Sequence, residues 1–392
     1  SVPMAGNSGG RDWLHGEMVA LTKRLLAHVE NGTTDHANDV FREPVSNYTD
    51  PTKWQRERDV LFRRSPLLLG LSADLPEKGS YRSLTICDIP VLMVRVDDGV
   101  ARAFVNVCRH RGSPIVEDDR GKQRRYTCIY HAWTYDTEGC LVGLPSADAF
   151  EGIDRGEYGL TRLPLEERNG MLWGILTPGV SLDVASWLGE DLDREFAAFE
   201  FGSCEWFVSY EIEAANWKLA MDTYFEAYHF SSLHRNTINL ITYSDVIAFD
   251  AFQQHQRNGF PRRNVLELRE IPETDWDPLS YMSSIYKVFP NVAVTVAPEA
   301  VLISQVLPGP TVDTSITIQS TYSRSPIESD ERRAELDKRA KFIRDVILEE
   351  DYFLNHKIGA GLRSGANRHL TFGRNEPGLH HFHRMVEEIA HR

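Results

Sequence analysis

The 392-residue chain is poor in cysteine, with five in all, and an odd number at that density is no disulfide scaffold. Basic residues are not in excess: 43 Lys and Arg stand against 57 Asp and Glu, a formal net charge of −14. A nucleic-acid binder needs a basic face for phosphates, so that class is excluded. Long hydrophobic runs are missing too. The longest, PLLLGL at 66–71, falls far short of the ~18 apolar residues a membrane span requires. The opening SVPMAGNSGG does not read as a signal peptide. Internal repeats and low-complexity tracts are lacking, and no G-x-G-x-x-G follows a strand to mark a flavin or nicotinamide site. The expectation is a soluble, cytoplasmic protein in a reducing compartment, with no membrane and no nucleic-acid partner. What is present is ordinary for a globular protein, 42% hydrophobic and 26% charged, at a length that suits two domains.

Along the chain, residues 1–11 are Gly/Ser-rich and read as loose. Leu14, Met18, Leu21, Leu25 and Val29 recur at helical spacing from Asp12 to about Glu30. Between 80 and 145 the pattern is one of short strands and tight turns. IPVLMVRV, Asp97-Asp98-Gly99 and VARAFVNV make one hairpin, and TCIYHAWTY, DTEG and CLVGL make another. Strands continue at 170–179. After 205, WFVSYEIEA is strand-like, NWKLAMDTYFEAYHF at 216–230 is helical, and 291–323 reads as antiparallel strands. A long helix runs from a Ser329 or Asp330 cap to about Leu362. The class is α+β, a β-rich module ahead of a larger mixed domain.

Two small packets stand out, Cys108-x-His110 and Cys128-x-x-His131, with 17 residues between them. Both sit at strand ends, on loops that could face each other. Chance burial in a β core is one explanation. A structural zinc site is a second, because two thiolates and two imidazoles bind zinc tetrahedrally. However, zinc fingers group Cys with Cys and His with His. An iron–sulfur centre is the third: each loop would give its Cys to one iron and its His to the other. Cys87, Cys140 and Cys204 have no partner motif and read as core or surface thiols. RGKQRR at 120–125 reads as a solvated loop, with docking of an acidic electron donor as the alternative.

A second constellation follows. On a regular helix Asp222, Glu226 and His229 share one face. His234 would point ~140° away, so for both His to bind one ion the helix must end or bulge near Ser231 and Ser232. Two His and a carboxylate can hold iron(II) at one face and leave positions open. The late helix offers Glu349, Glu350 and Asp351. Arg257, Arg262 and Arg263 read as surface loop charges, with holding a substrate carboxylate as the alternative, and His380, His381 and His383 as part of an exposed helical tail, with a metal site as the alternative.

CRHRGSPI and CIYHAWTYDTEG, with Arg109, Arg111, Gly112, Trp133 and Gly139, resemble the Rieske [2Fe–2S] motif. NWKLAMDTYFEAYHFSSLH resembles the catalytic motif of the Rieske non-haem iron oxygenases, whose alpha subunits include the aromatic-ring-hydroxylating dioxygenases. The resemblance implies a Rieske cluster on Cys108, His110, Cys128 and His131, and a mononuclear iron(II) on His229, His234 and a downstream acid. Asp351 matches that acid best, with Glu350 next. It implies that Glu226 bridges a Rieske His of a neighbouring subunit, matched by His131, to His229, with Asp222 helping to orient the bridge. The implied fold is a β-rich Rieske domain (45–175) and a catalytic domain (176–392) with an antiparallel sheet flanked by helices, helix-grip or START-like. Residues 1–44 would pack on the catalytic domain. The implied activity uses O2 to mono- or dihydroxylate an aromatic or related small organic substrate. The alternatives are oxidative N- or O-demethylation of a quaternary amine or methoxy compound, and a non-catalytic Rieske electron carrier. Electrons would come from NAD(P)H through a ferredoxin or flavin reductase. The implied assembly is a homotrimer, or an α3β3 complex.

Overall fold

The computed structural model describes residues 8–392. It divides into two compact units. Residues 59–187 with 201–203 make the smaller; the residues up to Arg58, 188–200 and 204–392 make the larger. The boundaries expected at 45 and 176 thus fall at 59 and 188. The segment 46–57 forms two short helices tied into the larger unit by Glu57, which is fully buried and accepts hydrogen bonds from Trp217 Nε1 (2.9 Å) and Lys218 Nζ. An acid removed from water needs such partners. At the other end, Thr177 bonds the carbonyl of Arg63 within the smaller unit.

The smaller unit is built of short antiparallel strands. A five-stranded sheet runs in the order 162–163, 101–105, 89–95, 80–86, 120–122. A three-stranded sheet of 125–127, 134–136 and 141–143 and another of 165–168, 171–174 and 67–71 complete it. Asp97-Asp98-Gly99 closes the first expected hairpin. In the second, Gly139 has φ +81°, and a Cβ there would lie 2.5 Å from the Phe104 ring, so the turn and the packing both require glycine. RGKQRR is no free loop. Arg120–Lys122 is a strand, with Arg120 on Asp74 and Lys122 on Glu77.

The larger unit is a seven-stranded antiparallel sheet with helices on both faces. Helix α1 (Ser8–Asn31), which includes part of the stretch expected to be loose, and α2 (Glu190–Ala198) precede β1 (Glu205–Ala214) and the short α3 (Trp217–Asp222). Then come β2 (Ala248–Phe252), β3 (His255–Pro261), β4 (Met282–Val288), β5 (Val292–Val296), β6 (Ala300–Pro308) and β7 (Ser315–Ser323). Helices α4 (Asp330–Val346), α5 (Tyr352–Leu362) and α6 (Pro377–Ala390) follow. The strand order is β1-β7-β6-β5-β4-β3-β2. On one face α1 packs at Gly259, where a Cβ would meet Leu21 and Leu25 at 3.0 and 3.1 Å. The same face takes α2 through Glu195, which accepts from Arg257 Nη1 (2.5 Å) and Tyr286 Oη (2.5 Å).

Two expectations are overturned here. Arg257 is a buried residue of β3, paired with Glu195 and Asp250, because the hairpin β2–β3 occupies what reads as a loop; Arg262 is half-buried and only Arg263 is exposed. The C-terminal tail is a buried helix, with His380 and His383 each 2% exposed. Leu379, Phe382, Val386 and Ala390 recur on one side of α6 and seat it. Among the described residues, no helix is long and apolar enough to cross a membrane.

Candidate metal centres

In the smaller unit, Cys108 follows strand 101–105 and Cys128 follows strand 125–127. The two loops fold alike. Cys108 N–H donates to Ser113 O (2.8 Å) and Gly112 N–H to Cys108 O (2.9 Å); Cys128 N–H donates to Trp133 O (2.8 Å) and Ala132 N–H to Cys128 O (2.9 Å). Gly112 and Ala132 both take positive φ, +81° and +58°. This repeated turn presents Cys108 and Cys128, 3% and 2% exposed, beneath His110 and His131, whose ring centroids are 4.6 Å apart. His110 stacks on Trp133 (4.9 Å, 9°), which holds its plane.

The donor set fits a cluster. His110 Nδ1 is buried without a hydrogen-bond partner, the condition of an atom meant for a metal. Burial pushes the Cys128 thiol up, but backbone N–H groups of Tyr130 and His131 and side chains of Cys108 and Ser113 bring it below its ordinary value. Donors of that kind also stabilise sulfur ligands of a cluster. Tyr135 Oη lies 3.5 Å from Cys108 Sγ. All five cysteines are free thiols, and Cys87, Cys140 and Cys204 take no part in this site.

In the larger unit, the expected helix over 216–230 stops at Asp222. The Glu226 carboxylate accepts from the backbone N–H of Tyr228 (2.5 Å) and His229 (3.2 Å), groups that a helix would commit to carbonyls four residues back. Turns replace the helix, and His234 swings round to His229 without the later break that helical geometry demanded. The two Nε2 atoms are 3.1 Å apart. Asp351 Oδ1 lies 3.4 Å from His229 Nε2 and 3.2 Å from His234 Nε2. These three ligand atoms form the one such group of His, Cys and acids found among the described residues. Asp351 ends a π-helical turn, Ile347–Asp351, between α4 and α5. The extra residue in that turn separates two neighbouring acids. Asp351, 4% exposed, points to the imidazoles, whereas Glu350 accepts from His234 Nδ1 and from Thr237 Oγ1 (2.7 Å).

The electrostatics ask for a cation. Burial alone would push His229 down, yet hydrogen bonds and charge from Asp351 and Glu226 carry it up to about 10. Burial alone would raise Asp351, and the two imidazoles hold it below its usual range. A divalent ion satisfies the same demand, and two His with one carboxylate suit non-haem iron(II) with open positions. A cavity of about 580 Å³ borders His229 and Asp351, and Glu226 and Leu354 also line it.

Asp222 lines that cavity but does not reach Glu226. It accepts from Tyr48 Oη (2.6 Å) and from His383 Nε2 (2.7 Å), and Glu43 lies 3.4 Å from His383 Nδ1. Burial alone would lower His383, but Asp222 and Glu43 raise it to about 9. Thr237 and Tyr48 gave no sequence signal, and Glu350 and His383 were singled out for other roles. All four act through contacts more than 100 positions apart, from 113 for Thr237 and Glu350 to 335 for Tyr48 and His383.

A β-rich unit with paired Cys/His loops and a helix-flanked sheet with a His/His/Asp triad define an iron–sulfur protein with a second, mononuclear metal centre. The family model described as the Rieske [2Fe–2S] domain matches residues 65–161, and the one described as the ring hydroxylating alpha subunit (catalytic domain) matches 201–391. The chain belongs to the Rieske oxygenase alpha subunits, and its two domains imply a Rieske [2Fe–2S] cluster and a mononuclear iron. The glycine betaine monooxygenase oxygenase subunit of Chromohalobacter salexigens is 34% identical over 209 residues, 52% of this chain and 45% of that protein. The anthranilate 1,2-dioxygenase large subunit of Burkholderia cepacia is 30% identical over 210 residues, 50% and 48%. The chain thus spans about half the length of these relatives. Among solved structures, a quaternary ammonium Rieske monooxygenase with L-carnitine superposes at a TM-score of 0.76, with 20% identity over 90% of this chain and 96% of that one. Naphthalene 1,2-dioxygenase with indole does so at 0.70, with 16% identity over 91% and 93%.

Proposed function

We propose that the chain is the oxygenase component of a multicomponent Rieske system that hydroxylates an aromatic or related small organic substrate with O2. The convergence of His229 Nε2, His234 Nε2 and Asp351 Oδ1 within 3.4 Å carries this reading; a Rieske electron carrier has no use for it. The cluster would supply single electrons, and the mononuclear iron(II) would supply oxygen activation. The chain's own part is positioning. Glu226 holds His229 through Nδ1 (2.5 Å), Glu350 holds His234 through Nδ1, and both Nε2 atoms are thereby aimed at Asp351. Phe230, 5.1 Å from the His229 ring and 5.8 Å from the His234 ring, excludes water from one side.

Monooxygenation or oxidative demethylation of a quaternary amine is the second reading. Relatives named for glycine betaine and quaternary ammonium substrates favour it. Electrons come from NAD(P)H through a separate ferredoxin or flavin reductase. The assembly is a cytoplasmic homotrimer, or an α3β3 complex. In it Glu226 bridges His131 of the partner subunit to His229. A related structure is itself described in terms of inter-subunit electron transfer.

The test is metal analysis with EPR of the dithionite-reduced, anaerobically purified protein. About three irons and about two sulfides per chain, with a Rieske-type signal, are expected; zinc without sulfide refutes the reading. Glu226→Gln is expected to keep both centres and slow coupled turnover by at least about tenfold. Unchanged coupled turnover would remove the bridge.

A further inference from the structure

The sheet face beneath the metal loops carries Lys287, a buried lysine with no acid in its own row or the next among the described residues. Lys287 of β4 pairs in register with Gln256 and Ala293, Ala293 with Ser304, and Ser304 with Gln319, so these side chains line one row on one face. Thr317 is on the same face and bonds Tyr352 Oη (2.6 Å), the residue after Asp351. Tyr224, from the loop after α3, bonds both Tyr352 (2.9 Å) and Ser304. The row therefore lies under the elements that carry the triad. The next row holds Asn258, Ile285, Thr295, Leu302 and Thr321, and no Asp or Glu stands among them.

Lys287 is 3% exposed. Its Nζ donates to Asn258 Oδ1 (2.7 Å) and lies 5.4 and 5.8 Å from the ring centroids of Phe225 and Phe260. Among the described residues no carboxylate comes within ion-pairing distance of it, and desolvation alone pushes its ammonium well below the usual lysine range. The other buried lysine of this unit, Lys218, is matched by Glu57. A buried ammonium with one neutral partner is costly unless a counter-charge arrives. Gln319, 1% exposed, also has an Nε2 without an acceptor. From Lys287 the path to the triad is aromatic: Phe260 is 6.0 Å from Phe230, which sits against His229 and His234.

We propose that this row is the anchor for a carboxylate on the substrate. Lys287 supplies the counter-charge, and Gln319, three strands along, supplies a second donor for a polar substrate group. The aromatic middle of the site carries the body of the molecule toward His229, His234 and Asp351. This deepens the oxygenase proposal and rests on it. It restricts the substrate to organic acids, whether aromatic or quaternary-ammonium in the rest of the molecule.

The test measures binding by calorimetry on the anaerobic, iron-loaded holoenzyme. The probes are benzoate, 2-aminobenzoate and trimethylglycine, each against its primary amide. At least one acid is expected to bind about 30-fold or more tightly than its amide, the lower end for a buried charge pair. That preference is expected to fall below about threefold in Lys287→Met and to return in part in Lys287→Arg. The thermal midpoint of ligand-free Lys287→Met is expected to hold or rise, because an unpaired buried charge has been removed. An acid preference that survives in Lys287→Met, a wild type that prefers no acid over its amide or binds none of the acids, or a lowered midpoint with unchanged preference would each overturn the proposal. Iron and sulfide counts on the same samples test the oxygenase assignment separately.

Discussion

Glu350→Ala separates the acid that binds metal from the one that supports it. Glu350 accepts from His234 Nδ1 and from Thr237 Oγ1, and His234 is 2% exposed. Without Glu350, no acid holds His234 at Nδ1 to fix its tautomer and ring plane, and Nε2 is less basic toward a cation. Losing such an outer partner costs about 10- to 100-fold in metal affinity, or about 1.4–2.7 kcal/mol. Glu350→Gln keeps an oxygen that accepts from Nδ1–H and belongs at the tenfold end. Asp351→Ala removes a ligand atom and is expected to abolish stoichiometric binding. Glu349→Ala, at an exposed position in the same turn, is expected to change nothing. The assay is anaerobic competition for iron(II) with a chromophoric chelator, using the visible spectrum of the Rieske centre as an internal control. Affinity within about twofold of wild type for Glu350→Ala would refute the supporting role. Concurrent loss of the cluster would show a global effect instead.

Other outcomes follow from particular contacts. His383 is raised to about 9 by Asp222 and Glu43, so its stabilisation is complete below its unfolded pKa near 6.5 and is lost as pH rises through 9. The loss is on the order of 3 kcal/mol, read as a falling thermal midpoint between pH 6.5 and 9.5. His383→Gln should start lower and lack that slope. Tyr135→Phe deletes the hydroxyl beside Cys108 Sγ and is expected to lower the Rieske reduction potential in protein-film voltammetry, since a donor to sulfur favours the reduced cluster. Gly139→Ala drives a Cβ against Phe104 at a positive φ; a loss of at least about 2 kcal/mol is expected, and an unchanged midpoint would refute the packing argument.

That the loops of Cys108/His110 and Cys128/His131 meet was legible in the sequence, because short loops at strand ends keep near neighbours together. The hairpins at 89–105 and 134–143 were legible from alternation and turn residues. The Ser329 cap was legible as well: its side chain accepts from Arg332 N–H at 3.1 Å. The helix expected through His229 failed because helical spacing records preference, not competition. Glu226 takes backbone donors that the helix needed, and only the folded loop reveals that contest. The choice between Glu350 and Asp351 was likewise open in one dimension, where two adjacent acids look equivalent. One π turn sends them to opposite sides of His234. Burial hid the rest. Arg257 and His383 lie in segments that read as surface, Lys287 in one that carried no signal, and all three are buried in the fold. Local pattern determined which Cys, His and acidic residues this protein offers as ligands. Long-range packing decided where they meet, which acid faces the two imidazoles and which lysine is buried without an acid beside it, because those outcomes depend on contacts that sequence separation does not encode.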